Sequence, residues 1–427
     1  MKTPVRLVFS VCYIFICTLF LNLSVYAQDA GTELFDVNSI DSLFNEAPSE
    51  PTAKTPAEDV PAENKTNSIL SDGIRKKGFT LDAGFHFVGG YSPGWKEGTY
   101  LHVVGAEAIS SLGLDFQISN TLRIKQTIGF SFPSLSIEVK EFFLDYNIND
   151  RFFLRAGKHT VNWGISRNYQ FANLLNRAPA SNAAPGDPYT VKIDIPVGIG
   201  GAQLLMLARH ASIVDDNKLS FREIGFGGKY NIALRSVDID LSLLYHNELS
   251  LFGAVSLKTT LFKNTEVYLE GLAAVAHNMW NEFRFSGNLG FLQEFFGNKL
   301  SLNAELFYNG ENEAYWFRPE NILQDSASIP FIPGINTALN VVWRPISWKN
   351  LKIYGQFLYG FTENTGQLLP GISFTPFSNM TIYLAANIIT GSTEGTYYKN
   401  NDDKEKRPFS INLAVSIRGD YRRGFYD

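Results

Sequence analysis

The sequence predicts an all-β protein, a transmembrane antiparallel β-barrel, from three observations. From Gly78 to Gly419, segments of roughly ten residues alternate apolar and polar side chains, and short turns rich in Asn, Gly and Pro separate them. The amino terminus has the pattern of an export signal. No later stretch is apolar over the roughly 20 residues that a membrane-spanning helix needs. Together these features are typical of a bacterial outer-membrane barrel.

The segment 236–246 shows the alternation most clearly. Its apolar face carries Val237, Ile239, Leu241, Leu243 and Tyr245, and its polar face carries Ser236, Asp238, Asp240, Ser242 and His246. A soluble sandwich could contain one such strand, but the pattern recurs along the whole chain. We therefore expect one face of each strand to meet lipid and the other to meet a polar lumen.

Residues 1–27 are predicted to be a cleavable signal peptide. Lys2 and Arg6 give a positive start, residues 7–21 form an apolar core, and Val25-Tyr26-Ala27 provides small residues before the cleavage site. Both cysteines of the chain lie inside this segment, so the mature protein is expected to have no disulfide. The predicted location is the bacterial outer membrane.

Residues 28–72 form an acidic, proline-rich extension that we expect in the periplasm. They contain ten Asp or Glu residues and two Lys, a net charge of -8, which leaves residues 73–427, the predicted barrel domain, nearly neutral. This balance excludes a strongly basic nucleic-acid-binding surface. Residues 46–67 are expected to be a disordered linker. The apolar residues within 33–46 have helical spacing. This segment is either a short amphipathic helix or part of a disordered spacer. As a helix, it would dock on a periplasmic partner or plug the barrel.

Turn polarity predicts 18 strands, because short periplasmic turns should alternate with longer outer connections. The predicted strands are 78–90, 100–118, 121–132, 135–147, 151–163, two strands within 189–208, 219–230, 235–247, 250–262, 265–278, 281–294, 298–309, 335–345, 350–361, 367–376, 379–390 and 408–419. A turn at Pro196-Val197-Gly198 divides residues 189–208, since proline cannot donate to a central ladder. Without that division, the alternative is 16 strands.

Aromatic residues support this orientation. They cluster beside the predicted periplasmic turns, as Tyr146, Phe152, Phe295, Phe296, Trp343, Trp348, Phe374 and Phe377. Rings at strand ends are what a membrane interface selects. The long connections, residues 159–188, 310–334 and 391–407, are then all expected outside the cell.

Residues 154–164 read Leu-Arg-Ala-Gly-Lys-His-Thr-Val-Asn-Trp-Gly, and an Asn-rich loop follows at residues 173–179. This strand and loop resemble those of Gram-negative porin-like barrels, including the phosphate-selective-porin-like, alginate-export-like and sterol-associated uncharacterised porin groups. Gly157 and Gly164 would allow a neighbouring segment, or a loop folded into the lumen, to approach closely. The alternative is an ordinary strand with Trp163 at the outer membrane interface.

The polar strand faces supply the candidate pore lining. It comprises Arg123, Lys125, Glu138, Lys140 and Arg155 on early strands, and Glu223, Asp238, Asp240, Glu266, Glu270 and Glu305 on middle strands. Basic early strands and acidic middle strands would place opposite charges on opposite walls and create a transverse field. Alternatively, these charges pair with one another or face water without selecting solutes.

The predicted function is a channel for diffusion of small hydrophilic solutes through a polar lumen. The alternatives are a fatty-acid-type transporter for hydrophobic solutes with a plugged lumen, and a structural or adhesive surface protein. An enzyme is not expected, because none of the six histidines lies in a recognisable nucleophile motif. No metal site or cofactor is predicted. The expected partners are outer-membrane lipid and small solutes, and the protein is either a monomer or a homotrimer.

Overall fold

A computed structural model describes the barrel domain. The described residues are 78–96, 99–173, 175, 188–214, 218–247, 250–262, 264–276, 279–310, 315–317, 329–345, 348, 350–397 and 409–426. The predicted signal peptide and the acidic extension lie outside these ranges. Within them, no helix has the length and apolar character to cross a membrane.

Twenty strands occur in the described residues. They are β1 (Gly78–Lys96), β2 (Thr99–Gln117), β3 (Leu122–Phe132), β4 (Ser136–Ile148), β5 (Phe152–Lys158), β6 (Tyr189–Val197), β7 (Gly200–Val214), β8 (Lys218–Ala233), β9 (Val237–His246), β10 (Ser250–Leu261), β11 (Thr265–Ala276), β12 (Met279–Phe295), β13 (Leu300–Asn309), β14 (Tyr315–Phe317), β15 (Ile329–Phe331), β16 (Gly334–Trp343), β17 (Leu351–Gly360), β18 (Thr365–Phe377), β19 (Met380–Gly391) and β20 (Phe409–Tyr426).

Eighteen of these strands form one closed antiparallel barrel, and β14 pairs only with β15 in a separate hairpin. Each barrel strand pairs with its neighbours in sequence, β13 pairs with β16, and β20 pairs with β1 to close the sheet. Closure leaves no open sheet edge, which a bilayer would penalise. The prediction of 18 strands is confirmed and the alternative of 16 is wrong.

The turn between β6 and β7 decides the strand count. Val197 pairs with Gly200, and Gly198 has a positive φ of 55°. The pyrrolidine of Pro196 cannot donate a hydrogen bond, which suits a position next to the end of a ladder. The ladder ends one residue later, at Val197, and the chain reverses. This is the turn that the sequence predicts at Pro196-Val197-Gly198.

The lipid-facing surface follows the predicted alternation. On β9, Leu241 and Leu243 are exposed, whereas Leu244 and His246 are buried. The aromatic residues beside the turns between β4 and β5, β12 and β13, β16 and β17, and β18 and β19 are also exposed. They are Tyr146, Phe152, Phe295, Phe296, Trp343, Trp348, Phe374 and Phe377. Amphipathic rings at this level are suited to a membrane interface.

The predicted strand 151–163 is too long, because β5 ends at Lys158. Gly157 has a φ of 134°, and a Cβ at this position would lie 2.1 Å from the carbonyl oxygen of Phe142. Only glycine fits such an approach between backbones. Beyond Lys158 the chain leaves the sheet, and the following residues contact the inner faces of distant strands.

Candidate functional site

A segment that crosses the lumen is the main feature of the barrel interior. We call residues 159–173 the strap. It starts at the end of β5 and reaches β11, β13 and β16 on another part of the wall. It alternates exposed residues, such as Asn162, with buried ones, such as Val161 and Trp163. The strap therefore narrows the lumen from within.

Glu270 of β11 binds the first part of the strap. Its Oε1 accepts a hydrogen bond of 2.5 Å from the backbone N–H of Ile165, and its Oε2 accepts one of 3.2 Å from that of Ser166. The hydroxyl groups of Ser166 and Ser256 also donate to this carboxylate. Glu270 is 1% exposed, so these donors replace the water that an ionised carboxylate would otherwise need.

Gly164 makes this contact possible. A Cβ here would lie 3.2 Å from Glu270 Oε1 and equally close to the backbone of Ala172 and Asn173. The residue also has a φ of 95°, which a residue with a side chain adopts only with strain. Both observations explain the need for glycine at position 164.

Glu305 of β13 binds the next part of the strap, residues 167–169. Its Oε1 accepts hydrogen bonds from the backbone N–H groups of Arg167 and Asn168 at 2.8 and 3.0 Å, and its Oε2 accepts one from Tyr169 at 2.9 Å. The Tyr268 hydroxyl donates to Oε1 at 2.5 Å. Three consecutive amides thus converge on one carboxylate, an arrangement that fixes the backbone of the strap.

Side-chain amides hold the same part of the strap to the wall. Asn168 donates to Asn303 Oδ1 at 2.7 Å and accepts from Asn340 Nδ2 at 2.6 Å. The Tyr169 hydroxyl donates to the carbonyl oxygen of Thr337 at 3.1 Å. Burial raises the pKa of Tyr169 well above its usual value, so this hydroxyl keeps its proton and acts as a donor.

Aromatic packing seals the strap against the wall. Tyr169 stacks on Phe307 of β13 with ring centroids 4.8 Å apart, and Phe171 lies 5.0 Å from the same ring. Phe331 of β15 meets Phe307 edge-on at 5.3 Å. Tyr397, from the connection between β19 and β20, belongs to the same buried cluster. Residues from all three long connections therefore pack together inside the barrel.

Trp163 lies inside the barrel and not at the outer membrane interface. Its indole N–H donates to Gln203 Oε1 on β7 at 2.6 Å, and its backbone N–H donates to Asn173 Oδ1 at 3.1 Å. Gln203 in turn donates to Asp194 of β6 at 2.7 Å. The Trp163 side chain is 2% exposed. It anchors the start of the strap to the wall formed by β6 and β7.

The predicted basic wall is built from ion pairs between neighbouring strands. Arg123 binds Asp115 at 2.6 Å, and Arg155 binds Asp145 at 2.5 Å. Lys125 binds Glu141 of β4 at 2.6 Å. Each cation therefore has an acidic partner on the same wall. This local pairing weakens any field across the lumen.

Phe143 and His159 lie behind these cations. The guanidinium carbon of Arg155 is 4.4 Å from the centroid of the Phe143 ring, within range of a cation–π interaction. The His159 ring meets Phe143 edge-on at 5.7 Å and bonds the Thr190 hydroxyl. Burial, together with the charges of Arg155 and Lys192, lowers the pKa of His159 to about 4.

The other candidate residues lie at several places on the wall. Glu138 pairs with Lys158 at 3.2 Å, and Lys140 is placed at the register shift between β3 and β4. Glu223 lies on β8, but its side chain is outside the described part of the molecule. Asp238 lies opposite Lys258 in the sheet.

Two more acidic candidates have cationic partners. Asp240 binds Lys229 at 2.6 Å. Glu266 binds Lys258 at 2.8 Å and the strap residue Arg167 at 3.3 Å. Of the predicted acidic residues in the described part of the chain, Glu270 and Glu305 are the ones that hold the strap backbone.

Several residues of the site carry no charge and were not identified from the sequence. The strap residue Asn168 is hydrogen-bonded to Asn303 and Asn340 of the wall. Gln203 of the wall binds the strap through Trp163. All of the wall residues occupy polar-face positions of predicted strands. Asn and Gln side chains at polar-face positions could have indicated this role, since a buried side-chain amide needs hydrogen-bond partners on both of its polar atoms.

The fold and the strap define the class of this chain as a closed 18-stranded antiparallel β-barrel with an internal segment fixed to its wall. It is similar to the crystal structure of Acinetobacter baumannii OccAB4, with 8% identity over 82% of this chain and 100% of that chain and a TM-score of 0.52. For Pseudomonas aeruginosa OccD3 (OpdP), the identity is 10%, the coverage 86% and 100%, and the TM-score 0.54.

A third similar structure is Pseudomonas aeruginosa OccK5 (OpdH), with 10% identity over 81% of this chain and 98% of that chain and a TM-score of 0.51. These neighbours are Occ and Opd outer-membrane porins. At this level of identity the similarity shows the barrel fold. No family model and no curated protein matches the sequence.

Proposed function

We propose that this protein is an outer-membrane channel for the diffusion of small hydrophilic solutes. Its narrowest passage would lie between the strap and the wall formed by β3 to β6. The observation that carries this proposal is the fixation of the strap by Glu270 and Glu305, because a segment held by buried carboxylates sets a constant aperture. The Occ and Opd neighbours support the same class of function.

The chemistry of the passage suits polar solutes. On the wall, Arg123, Lys125 and Arg155 are partly exposed and ion-paired. On the strap, Asn162 is exposed. A solute that enters this passage can exchange hydrogen bonds with water for hydrogen bonds with these groups, which lowers its cost of dehydration. The predicted pore-lining residues other than Glu270 and Glu305, which are buried against the strap, are part of this proposal.

Liposome swelling tests the proposal. Vesicles that contain the purified protein should swell in solutions of small sugars or amino acids, and the rate should fall as the solute becomes larger. Vesicles with the heat-denatured protein are the control. An absence of swelling with every solute would contradict a diffusion channel and favour a plugged transporter or a surface protein.

The narrower resemblance to phosphate-selective-porin-like, alginate-export-like and sterol-associated porin groups depends on residues 154–179 alone. Solute competition during swelling, with phosphate and with uronic acids as separate competitors, distinguishes these groups. Monomer and homotrimer are both compatible with the proposed channel, and native mass spectrometry in detergent separates them.

A further inference from the structure

The two ends of the barrel differ in charge. One end carries the eight short turns between neighbouring strands, together with the start of β1 and the end of β20. In the sequence, these turns contain six Lys or Arg residues and one Asp. The connections at the opposite end contain seven Lys or Arg residues and fourteen Asp or Glu residues. We call the first, basic end the turn rim.

Several cations of the turn rim face solvent in the described part of the chain. Arg151 and Arg235, in two different turns, are exposed. At the end of β20, Arg423 is exposed and stacks on Phe425 at 5.0 Å, and Arg422 is paired with Asp82 at 3.3 Å with 72% of its side chain exposed. Such exposed cations attract a nearby polyanion without a large desolvation cost.

The acidic extension is attached to this same end. Residues 28–72 have a net charge of -8, and the chain enters the barrel at Gly78, in register with the last residues of β2 and β20. A flexible chain of this length has an end-to-end distance of about 35 to 40 Å. An 18-stranded barrel with strands tilted by about 40° is roughly 35 Å across. The extension can therefore span the opening to which it is tethered.

From this geometry we propose that the acidic extension, residues 28–72, docks on the turn rim of its own barrel. Tethering supplies a local concentration of roughly millimolar, so weak individual ion pairs suffice to keep the segment at the rim. The opposite end has an excess of acidic residues and would repel it.

Site-specific cross-linking tests this proposal. Both native cysteines lie in the predicted signal peptide, so single cysteines can be introduced at Ser49 in the extension and at Ser236 beside Arg235. In neutral phosphatidylcholine vesicles, a bifunctional maleimide should join this pair several-fold faster at about 0.01 M salt than at about 1 M salt, where the Debye length is about 3 Å. A pair with Ser134→Cys, in a tight turn at the opposite end, is the positional control.

A matched variant separates docking from simple tethering. Replacing the ten acidic residues of the extension by Asn and Gln keeps its length but removes the attraction, so the salt dependence and the fast cross-linking should be lost. Combining Arg151→Gln with Arg235→Gln should also slow the reaction. Liposome swelling with neutral sugars is measured in parallel, so a failure of the channel function would be recognised separately.

Equal cross-linking rates for the acidic and the neutralised extension would overturn the proposal. So would an unchanged cross-linking rate in the combined Arg151→Gln and Arg235→Gln variant, because the exposed arginines of the turn rim would then not attract the extension.

Discussion

Replacing Glu305 by Gln should loosen the strap. In the native barrel, Oε1 of Glu305 accepts hydrogen bonds from the backbone N–H groups of Arg167 and Asn168 and from the Tyr268 hydroxyl, and Oε2 accepts one from the N–H of Tyr169. A glutamine has one acceptor oxygen. Its NH₂ group must therefore face at least one N–H or O–H group that also needs an acceptor.

The size of the effect follows from this mismatch. Loss of one hydrogen bond to a charged group costs about 1.5 to 3 kcal/mol, and a buried donor without an acceptor costs about 1 to 3 kcal/mol. A combined loss of about 3 kcal/mol lowers the ratio of docked to undocked strap by about 100-fold. The remaining contacts keep the strap mostly docked, but excursions from the wall become far more frequent.

Single-channel recording measures these excursions. The Glu305→Gln variant should show more current noise and visits to a higher conductance, and liposome swelling should admit larger sugars than the native protein does. Asp240→Asn is the matched control, because its carboxylate lies on the same wall but binds Lys229 and Asn231. Heat-modifiable migration in electrophoresis verifies that both barrels are folded.

A folded Glu305→Gln barrel with native conductance, native noise and the same solute size limit as Asp240→Asn would refute the reasoning. The strap would then be held by its other contacts, and the carboxylate of Glu305 would not set the aperture.

Three other perturbations have defined outcomes. Gly164→Val forces a β-branched residue into a φ of 95°, at a cost of about 1 to 3 kcal/mol, and should raise the solute size limit in liposome swelling. Replacing Arg123, Lys125 and Arg155 together by Gln removes three cations but leaves their carboxylate partners, so reversal potentials in a salt gradient should shift towards cation selectivity. The third perturbation is acid. The pKa of His159 is about 4 in the folded protein and 6.5 when unperturbed. The free energy of unfolding should therefore fall by about 3 kcal/mol as the pH is lowered from 6.5 towards 4. In urea titrations, His159→Gln should remove this loss.

Each of these perturbations has a control or a contrary result. Gly198→Asn is the control for Gly164→Val, since Gly198 has a φ of 55° with nothing within 4 Å of a Cβ. An unchanged cation-to-anion ratio would contradict a role for the three basic residues in selectivity. Equal losses of stability between pH 7 and 4 in native protein and His159→Gln would show that other groups cause the acid sensitivity.

The barrel could be predicted from the sequence because the bilayer imposes simple rules. Lipid outside and a polar lumen inside require a period of two along every strand, and short turns mark one end. The turn predicted beside Pro196 then fixed the phase of the whole count, since the β6–β7 ladder ends one residue later, at Val197. Local chemistry decides both features, so no long-range information was needed.

The strap could not be distinguished from a strand for a related physical reason. Val161 and Trp163 are buried and Asn162 is exposed, so an extended segment lying against the inner wall alternates like a strand of the barrel. Glu270 and Glu305 could be assigned to polar faces. However, Ile165 lies 105 residues from Glu270 in the sequence, and Arg167 lies 138 residues from Glu305. No local pattern relates such distant positions.

The anchoring of the strap through its backbone has a consequence for evolution and for engineering. Glu270 and Glu305 bind amide groups that every residue except proline possesses, so these two carboxylates hold the strap whatever the side chains at positions 165 and 167, although Arg167 also pairs with Glu266. Substitutions there can change the chemistry that a passing solute meets while the aperture stays the same. Permeation specificity can therefore diversify independently of pore size, and the strap offers positions at which a sensing group could be installed in a nanopore.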